Sequence, residues 1–498
     1  MDILYKSTRG EEAPITASGA VIQGLSPDGG LFVPTSIPKL NLDLSKACDM
    51  TYKELALHIL KEFLSDFTED ELQQCIDRAY DDKFDTEDIA PVVRADNRYF
   101  LELFHGPTIA FKDMALSILP HLLTIAARKN KINDEIIVLT ATSGDTGKAA
   151  LTGFADVPGT KIMVFYPEEG VSNIQRLQMV TQRGDNTKVV GVRGNFDDCQ
   201  NAVKRIFADK ELNNLLGRKG LRLSSANSIN IGRLVPQVVY YVWAYLQLMK
   251  TGQIRCGDKI NFVVPTGNFG NILAGYYAKL MGLPVNKLIC ASNDNKVLFD
   301  FFRGGTYDKN REFILTNSPS MDILISSNLE RLIYMVSGED AAVNARLMSE
   351  LATKGKYTLP GQMKERLTDF HGEFATQQEA LDCIARIYEK DGYVIDTHTA
   401  VAVCAHDKYK DSTGDDTPSV IVSTASPFKF LRAVLGAINP EHVEMLSEYD
   451  MIYRLDMLMG KKGIPGAIKE ILALPIRHKD VCDIERIEDA VKGFLNIA

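Results

Sequence analysis

From about residue 96 onward the chain repeats one pattern, an apolar run closed by turn residues and then a longer amphipathic stretch. The runs are "EIIVLTA" (135–141), "KIMVFYP" (161–167), "TKVVGVRG" (187–194), "KINFVVPTG" (259–267), "NKLICAS" (286–292) and "SVIVSTAS" (419–426). Strand, loop and helix in repetition predict an α/β protein, because parallel strands need long crossovers and the crossover helices must bury one face on the sheet. At 498 residues the chain exceeds what one core holds, since single cores stop growing at roughly 250–300 residues. The expected division is a mainly helical N-terminal region over 1–95, a large domain from 96–129 and 226–498, and a small mobile α/β domain over 130–225. A charged, helical stretch at about 300–395 breaks the rhythm and reads as an insertion in the large domain.

Composition narrows the partners. The chain carries 65 acidic against 56 basic residues, a formal charge of −9, and no Lys/Arg tract dense enough to track a phosphate backbone, so nucleic acid is not expected. The longest apolar segment, around "LVPQVVYYVWAYLQLM" (234–249), falls short of the about 20 residues a membrane span needs and reads as core. The N-terminus has neither a signal-peptide core nor a transit-peptide pattern, which makes a cytoplasmic protein the expectation. Eight scattered cysteines without a C-x-x-C pair read as reduced thiols, with no disulfide and no metal site.

In open parallel sheets ligands sit beyond the carboxyl ends of strands, so strands that stop in Gly-rich turns are the places to look. "TATSGDTGKAA" (140–150) places Ser143, Asp145 and Thr146 at the start of a helix. "PTGNFGN" (265–271) does the same with Gly267, Asn268, Phe269, Gly270 and Asn271. Backbone N–H groups converging at a helix N-terminus favour an anion. The first turn is not a Walker loop, because Thr142 and Ala149 stand where that motif needs a glycine and a hydroxyl. A third stretch, "SANSINIGRL" (225–234), sets Asn227 and Ser228 a few residues before Arg233, whose guanidinium can grip a phosphate. Each turn alone also reads as a plain structural turn.

One lysine stands in the apolar run "FHGPTIAFKDMAL" (104–116). Lys112 is either a snorkelling surface cation paired with Asp113 or a partly desolvated amine that bonds to an aldehyde. Pyridoxal 5′-phosphate is an aldehyde with one phosphate, and it would occupy one of the two cradles.

These stretches, with "STRG" (7–10), "GLSPDGGLFVP" (24–34), "SPSMDILISSNLERL" (318–332), "DTHTAVA" (396–402) and "STASPFKF" (423–430), resemble the longer-type threonine synthases of the tryptophan synthase β-like group of pyridoxal-phosphate enzymes. The resemblance runs over nearly the whole chain in the family's order. It implies fold type II of the pyridoxal-phosphate enzymes, with two open parallel-sheet domains. It further implies that Lys112 forms the Schiff base and moves protons, that the Gly267–Asn271 loop holds the cofactor phosphate, and that the Thr424 hydroxyl meets the pyridine nitrogen. Asp145 matches the position near the cofactor's 3′-oxygen, where asparagine is common. Thr146, Asn227, Ser228 and Arg233 would hold a substrate phosphate, and Ser143 the substrate carboxylate.

The implied reaction converts O-phospho-L-homoserine and water to L-threonine and phosphate. A phospholyase or a hydroxy-amino-acid dehydratase on the same lysine is the nearest rival, and a non-catalytic phospho-ligand binding protein the more distant one. Thr397, Ser426 and Phe428 depart from the proline, histidine and alanine frequent in the family. His398 reads equally as an active-site contact or as a turn-capping residue, His105 as packed in the core, and Asp113 as a local hydrogen-bonding partner. A monomer is expected.

Overall fold

The structure, a computed structural model, describes residues 2–10, 13–142, 144–169, 171–441, 443–461 and 463–497. Two parallel sheets organise it. The larger runs, edge to edge, Phe370–Phe374, Val285–Ser292, Ile260–Pro265, Ser419–Ser423, Arg98–Glu102 and Val92–Ala95. All neighbours are parallel except the final pair, an antiparallel hairpin. The smaller sheet is wholly parallel, in the order Asp480–Asp483, Thr187–Arg193, Thr160–Pro167, Glu135–Ala141, Leu221–Ser224.

Each apolar run read from the sequence forms a strand. Two boundaries need correction. The strand Asp480–Asp483 pairs with Thr187–Arg193, so the chain's last residues return to the small sheet rather than staying with the large unit. This strand is short and mostly exposed, and its only apolar signal is a single Val481. The stretch 300–395 is also more than an insertion, because Phe370–Phe374 forms an edge of the large sheet against Val285–Ser292.

The N-terminal region mixes helices with the short strands Tyr5–Ser7 and Phe32–Pro34, which pair antiparallel, so it is less helical than expected. Thr51 and Thr68 each accept from the backbone N–H three residues on, while Glu54 and Glu71 reach back to the cap, which satisfies two orphan donors at each helix start. The helices Tyr52–Phe63 and Glu69–Ala79 bury their apolar stripes in the core that also takes the helix Pro236–Lys250, itself almost wholly buried. No described helix is long and apolar enough to cross a membrane.

Strand order positions the site. Arg98–Glu102, Ser419–Ser423 and Ile260–Pro265 are consecutive in the large sheet, so the segments leaving their carboxyl ends emerge side by side. Those segments carry Lys112, Thr424 and the Gly267–Asn271 loop.

Candidate active site

The backbone locks the first two segments together. Phe111 donates its N–H to the Thr424 carbonyl at 2.8 Å, and Ala110 bridges Ala425. Lys112 then begins the short helix Asp113–Leu116. Its Nζ lies 3.3 Å from Ser320 Oγ and 3.5 Å from Asp145 Oδ2, with only 12% of the side chain exposed. It does not snorkel, and it does not pair with Asp113. Asp113 turns back to accept from the Thr108 N–H (2.8 Å) and hydroxyl (2.6 Å), and burial pushes its carboxyl up to about 6. Burial lowers the Lys112 pKa; the Asp145 charge opposes this, and the Lys429 and Arg233 charges add to it. A lowered pKa increases the neutral, nucleophilic fraction of the amine.

Asp145, first residue of the helix Asp145–Phe154, is the electrostatic centre. Its Oδ1 takes Lys429 Nζ at 2.8 Å and Gln175 Nε2 at 2.8 Å; its Oδ2 accepts from Ser320 Oγ at 2.9 Å. Burial alone would raise this carboxyl, but Lys429 and Lys112 overcome that and hold it well below the usual carboxylate range. Lys429 is itself buried and also donates to the Thr108 carbonyl at 3.0 Å.

The Gly267–Asn271 loop lies between the strand Ile260–Pro265 and the helix Gly270–Met281. Phe269 adopts a left-handed φ of 64°, costly for a bulky residue and tolerated where the surroundings over-determine it. Its ring packs against Phe302 and Phe370, so of this predicted cofactor contact only the backbone faces the loop. The neighbouring segment braces the turn: Ser326 Oγ donates to the Gly267 carbonyl at 2.6 Å and Asn328 Nδ2 to the Asn268 carbonyl at 3.0 Å. Asn271 Oδ1 accepts from the Tyr240 and Tyr241 hydroxyls, both at 2.7 Å, and its buried Nδ2 has no partner among the described residues. An orphaned amide donor at a helix N-terminus fits a phosphate.

A Cβ added at Gly267 would stand 2.7 Å from the Ser320 carbonyl oxygen. Gly267→Ala must therefore shift the cradle or the Ser320 segment. At about 1–3 kcal/mol for such overpacking, affinity for pyridoxal phosphate should fall about ten- to hundredfold, which titration of the resolved protein with cofactor measures.

The third stretch holds a buried cation. Arg233 is 4% exposed; it donates one guanidinium N–H to the Ala226 carbonyl at 2.8 Å, and its buried Nε finds no partner among the described residues. Burial lowers its pKa to about 10, and no charged group among the described residues offsets it. Ser228 is half-buried and Asn227 exposed in the loop before it, while Thr146 is half-buried beside Asp145. Ser143 lies outside the described residues.

His398 is both contact and support. Its Nδ1 is 2.7 Å from Asp396 Oδ2, and its Nε2 accepts the Ser320 N–H at 3.1 Å. Thr397, one of the departures from the family pattern, donates to the Asn317 carbonyl at 2.7 Å, tying down the same segment. His105 does not pack in the core: it is half-buried between two carboxylates, with Nδ1 2.5 Å from Asp85 and Nε2 2.9 Å from Glu102. Burial would lower its pKa, but these hydrogen bonds raise it from 6.5 to about 9. The stabilisation from this triad is full below about pH 6.5 and is lost as the pH climbs through 9. Unfolding midpoints between pH 6.5 and 9.5 should therefore fall less steeply in His105→Gln than in the parent.

Ser320, Lys429 and Gln175 were not singled out by the sequence. A signal existed for one of them: Lys429 in "SPFKF" is a lysine between two phenylalanines, the same anomaly that Lys112 presents.

Residues 4–80 match the family model "Threonine synthase N terminus", 89–425 "Pyridoxal-phosphate dependent enzyme" and 399–491 "Threonine synthase, C-terminal". The chain is 35% identical to threonine synthase of Saccharomyces cerevisiae over 99% of this chain and 98% of that one. It is 42% identical to threonine synthase-like 1 of Homo sapiens over 86% of this chain, but spans 59% of that relative's length. A solved threonine synthase from Brucella melitensis with pyridoxal phosphate bound superposes with a TM-score of 0.86 at 34% identity, covering 99% of both chains.

Proposed function

The chain belongs to the threonine synthase family of pyridoxal-phosphate-dependent enzymes, and from that premise we propose that it converts O-phospho-L-homoserine and water to L-threonine and phosphate. The observation that carries this reading is Arg233. A buried guanidinium whose Nε meets neither a partner nor an opposing charge among the described residues is costly unless an anion completes it. The Gly267–Asn271 cradle accounts for one phosphate, the cofactor's. Arg233 then calls for a second, on the substrate.

Pyridoxal phosphate, when bound, supplies the sink for the electron pair left at a substrate carbon. The residues of this chain do the rest. Gly267, Asn268, Gly270 and Asn271, with the backbone of Phe269, hold the cofactor phosphate at the helix N-terminus. Thr424 would offer a neutral hydroxyl to the pyridine nitrogen, and Asp145 would serve the ring oxygen. Lys112 would anchor the cofactor, and its free amine is placed to accept the α-proton and later to return a proton as a general acid. Arg233, Thr146, Asn227 and Ser228 hold the substrate phosphate, and the Arg233 charge stabilises it as it leaves the γ-carbon. A second proton leaves the β-carbon as phosphate departs, a proton returns to the γ-carbon, and water then adds at the β-carbon.

Premature water would release a keto acid. The unit carrying Asp145 and Thr146 closes over the anchored phosphate, and the energy of that anchor drives closure. The test is to incubate purified holoenzyme with O-phospho-L-homoserine and quantify products. Threonine and phosphate in equal amounts are expected. Phosphate with 2-oxobutyrate identifies a phospholyase instead, and a protein that forms no chromophore with pyridoxal phosphate is a binding protein.

A further inference from the structure

Ser320, which no recognised role yet covers, stands closest to the reacting amine. Its Oγ is 3.3 Å from Lys112 Nζ and 2.9 Å from Asp145 Oδ2. A hydroxyl has one proton to donate. Asp145 is an ionised carboxylate with Lys429 and Gln175 on its other oxygen, so it only accepts, and the Ser320 proton is committed to it. Ser320 therefore offers Lys112 nothing but lone pairs.

A neutral lysine amine has two N–H groups and one lone pair. One N–H faces Ser320 Oγ, and the other faces Asp145 Oδ2 at 3.5 Å. With both protons occupied, the nitrogen lone pair points away from these two groups. We propose that Ser320 is a positioning residue that aims the Lys112 lone pair at the carbon it attacks or deprotonates, and that the Asp396–His398 pair acts through Ser320 to hold it there.

Asp396 spends its oxygens on the Thr399 N–H at 3.0 Å and hydroxyl at 2.5 Å, the His398 N–H at 3.0 Å and His398 Nδ1 at 2.7 Å. As an acceptor, it requires the proton on Nδ1. His398 Nε2 is then the acceptor that the Ser320 N–H finds at 3.1 Å. Asp396 is also the N-cap of the helix Thr397–Thr413, so the orientation of Lys112 is referred to a rigid element.

This inference rests on the assignment of Lys112 to the cofactor, and its test does not need turnover. Full-length protein is freed of cofactor, then mixed with pyridoxal phosphate, and the second-order rate of chromophore formation is followed against pH. Ser320→Ala should slow this rate about tenfold, the equivalent of one hydrogen bond to a charged or reacting group. It should also move the midpoint of the pH profile down, because the ammonium loses an acceptor, and Ser320→Thr should restore both. His398→Ala should give the same loss, and the double variant Ser320→Ala/His398→Ala should be no slower than either single one, because one path is cut twice. Losses that multiply in the double variant, or a Ser320→Ala rate and midpoint equal to those of the parent, would overturn the proposal. A parent protein that forms the chromophore but makes no threonine would overturn the proposed reaction and leave this inference standing.

Discussion

Replacing Arg233 with methionine should lower kcat/KM for O-phospho-L-homoserine by about 10²–10⁴-fold, while the unfolding temperature stays level or rises. The first half follows from the loss of two charge-assisted hydrogen bonds, each of about 1.5–3 kcal/mol, at about 1.4 kcal/mol per tenfold change. The second follows from what the guanidinium costs in the free protein. It is buried, its Nε has no partner among the described residues, and burial drags its pKa down to about 10; an apolar side chain of similar volume removes that penalty. Inorganic phosphate should raise the unfolding temperature of the parent and not of the variant. A variant that loses both activity and stability would mean that Arg233 holds the fold through the Ala226 carbonyl, not a ligand.

Lys112→Ala should form no long-wavelength chromophore with pyridoxal phosphate and should lose activity by about 10⁴-fold or more, beyond the about 10²–10⁴ that a general acid–base group alone contributes. Two other lysines, the half-buried Lys148 and the buried Lys429, make this a discriminating experiment. Lys148, pushed down by burial to about 8, has a free-base fraction that would suit a nucleophile, but its Nζ donates to Gln182 Oε1 at 2.5 Å. Lys429 is bound to Asp145, Thr108 and Gln178. Neither Lys148→Ala nor Lys429→Met should abolish the chromophore. Lys429→Met should instead weaken Asp145 as an ionised group, since the larger of its two stabilising charges is removed.

The core of the fold was legible because a buried parallel strand has nowhere to put a polar residue. The runs 135–141 and 161–167 announce themselves for that reason, and both lie at the centre of the small sheet. Edge strands escape that constraint. Asp480–Asp483 and Leu221–Ser224 are short and partly exposed, and neither carries a continuous apolar run. The two strand-to-helix turns were legible because glycines at the ends of strands leave a local mark. Ser320 and Gln175 were not, because nothing in "SPSMDI" or "NIQRLQ" tells a side chain that it will meet Asp145 from 175 or 30 positions away. His105 shows the same limit: its neighbours in sequence are apolar, yet one of its carboxylates, Asp85, comes from a separate turn.

The central claim is that one nitrogen, Lys112 Nζ, holds the cofactor between two phosphate cradles. Borohydride reduction of the holoenzyme fixes the cofactor on whichever amine carries it, and peptide mass spectrometry locates the pyridoxyl group. The account predicts a single modified site, Lys112, in the peptide containing "TIAFK". A pyridoxyl group on Lys148 or Lys429, or on no lysine at all, would contradict it.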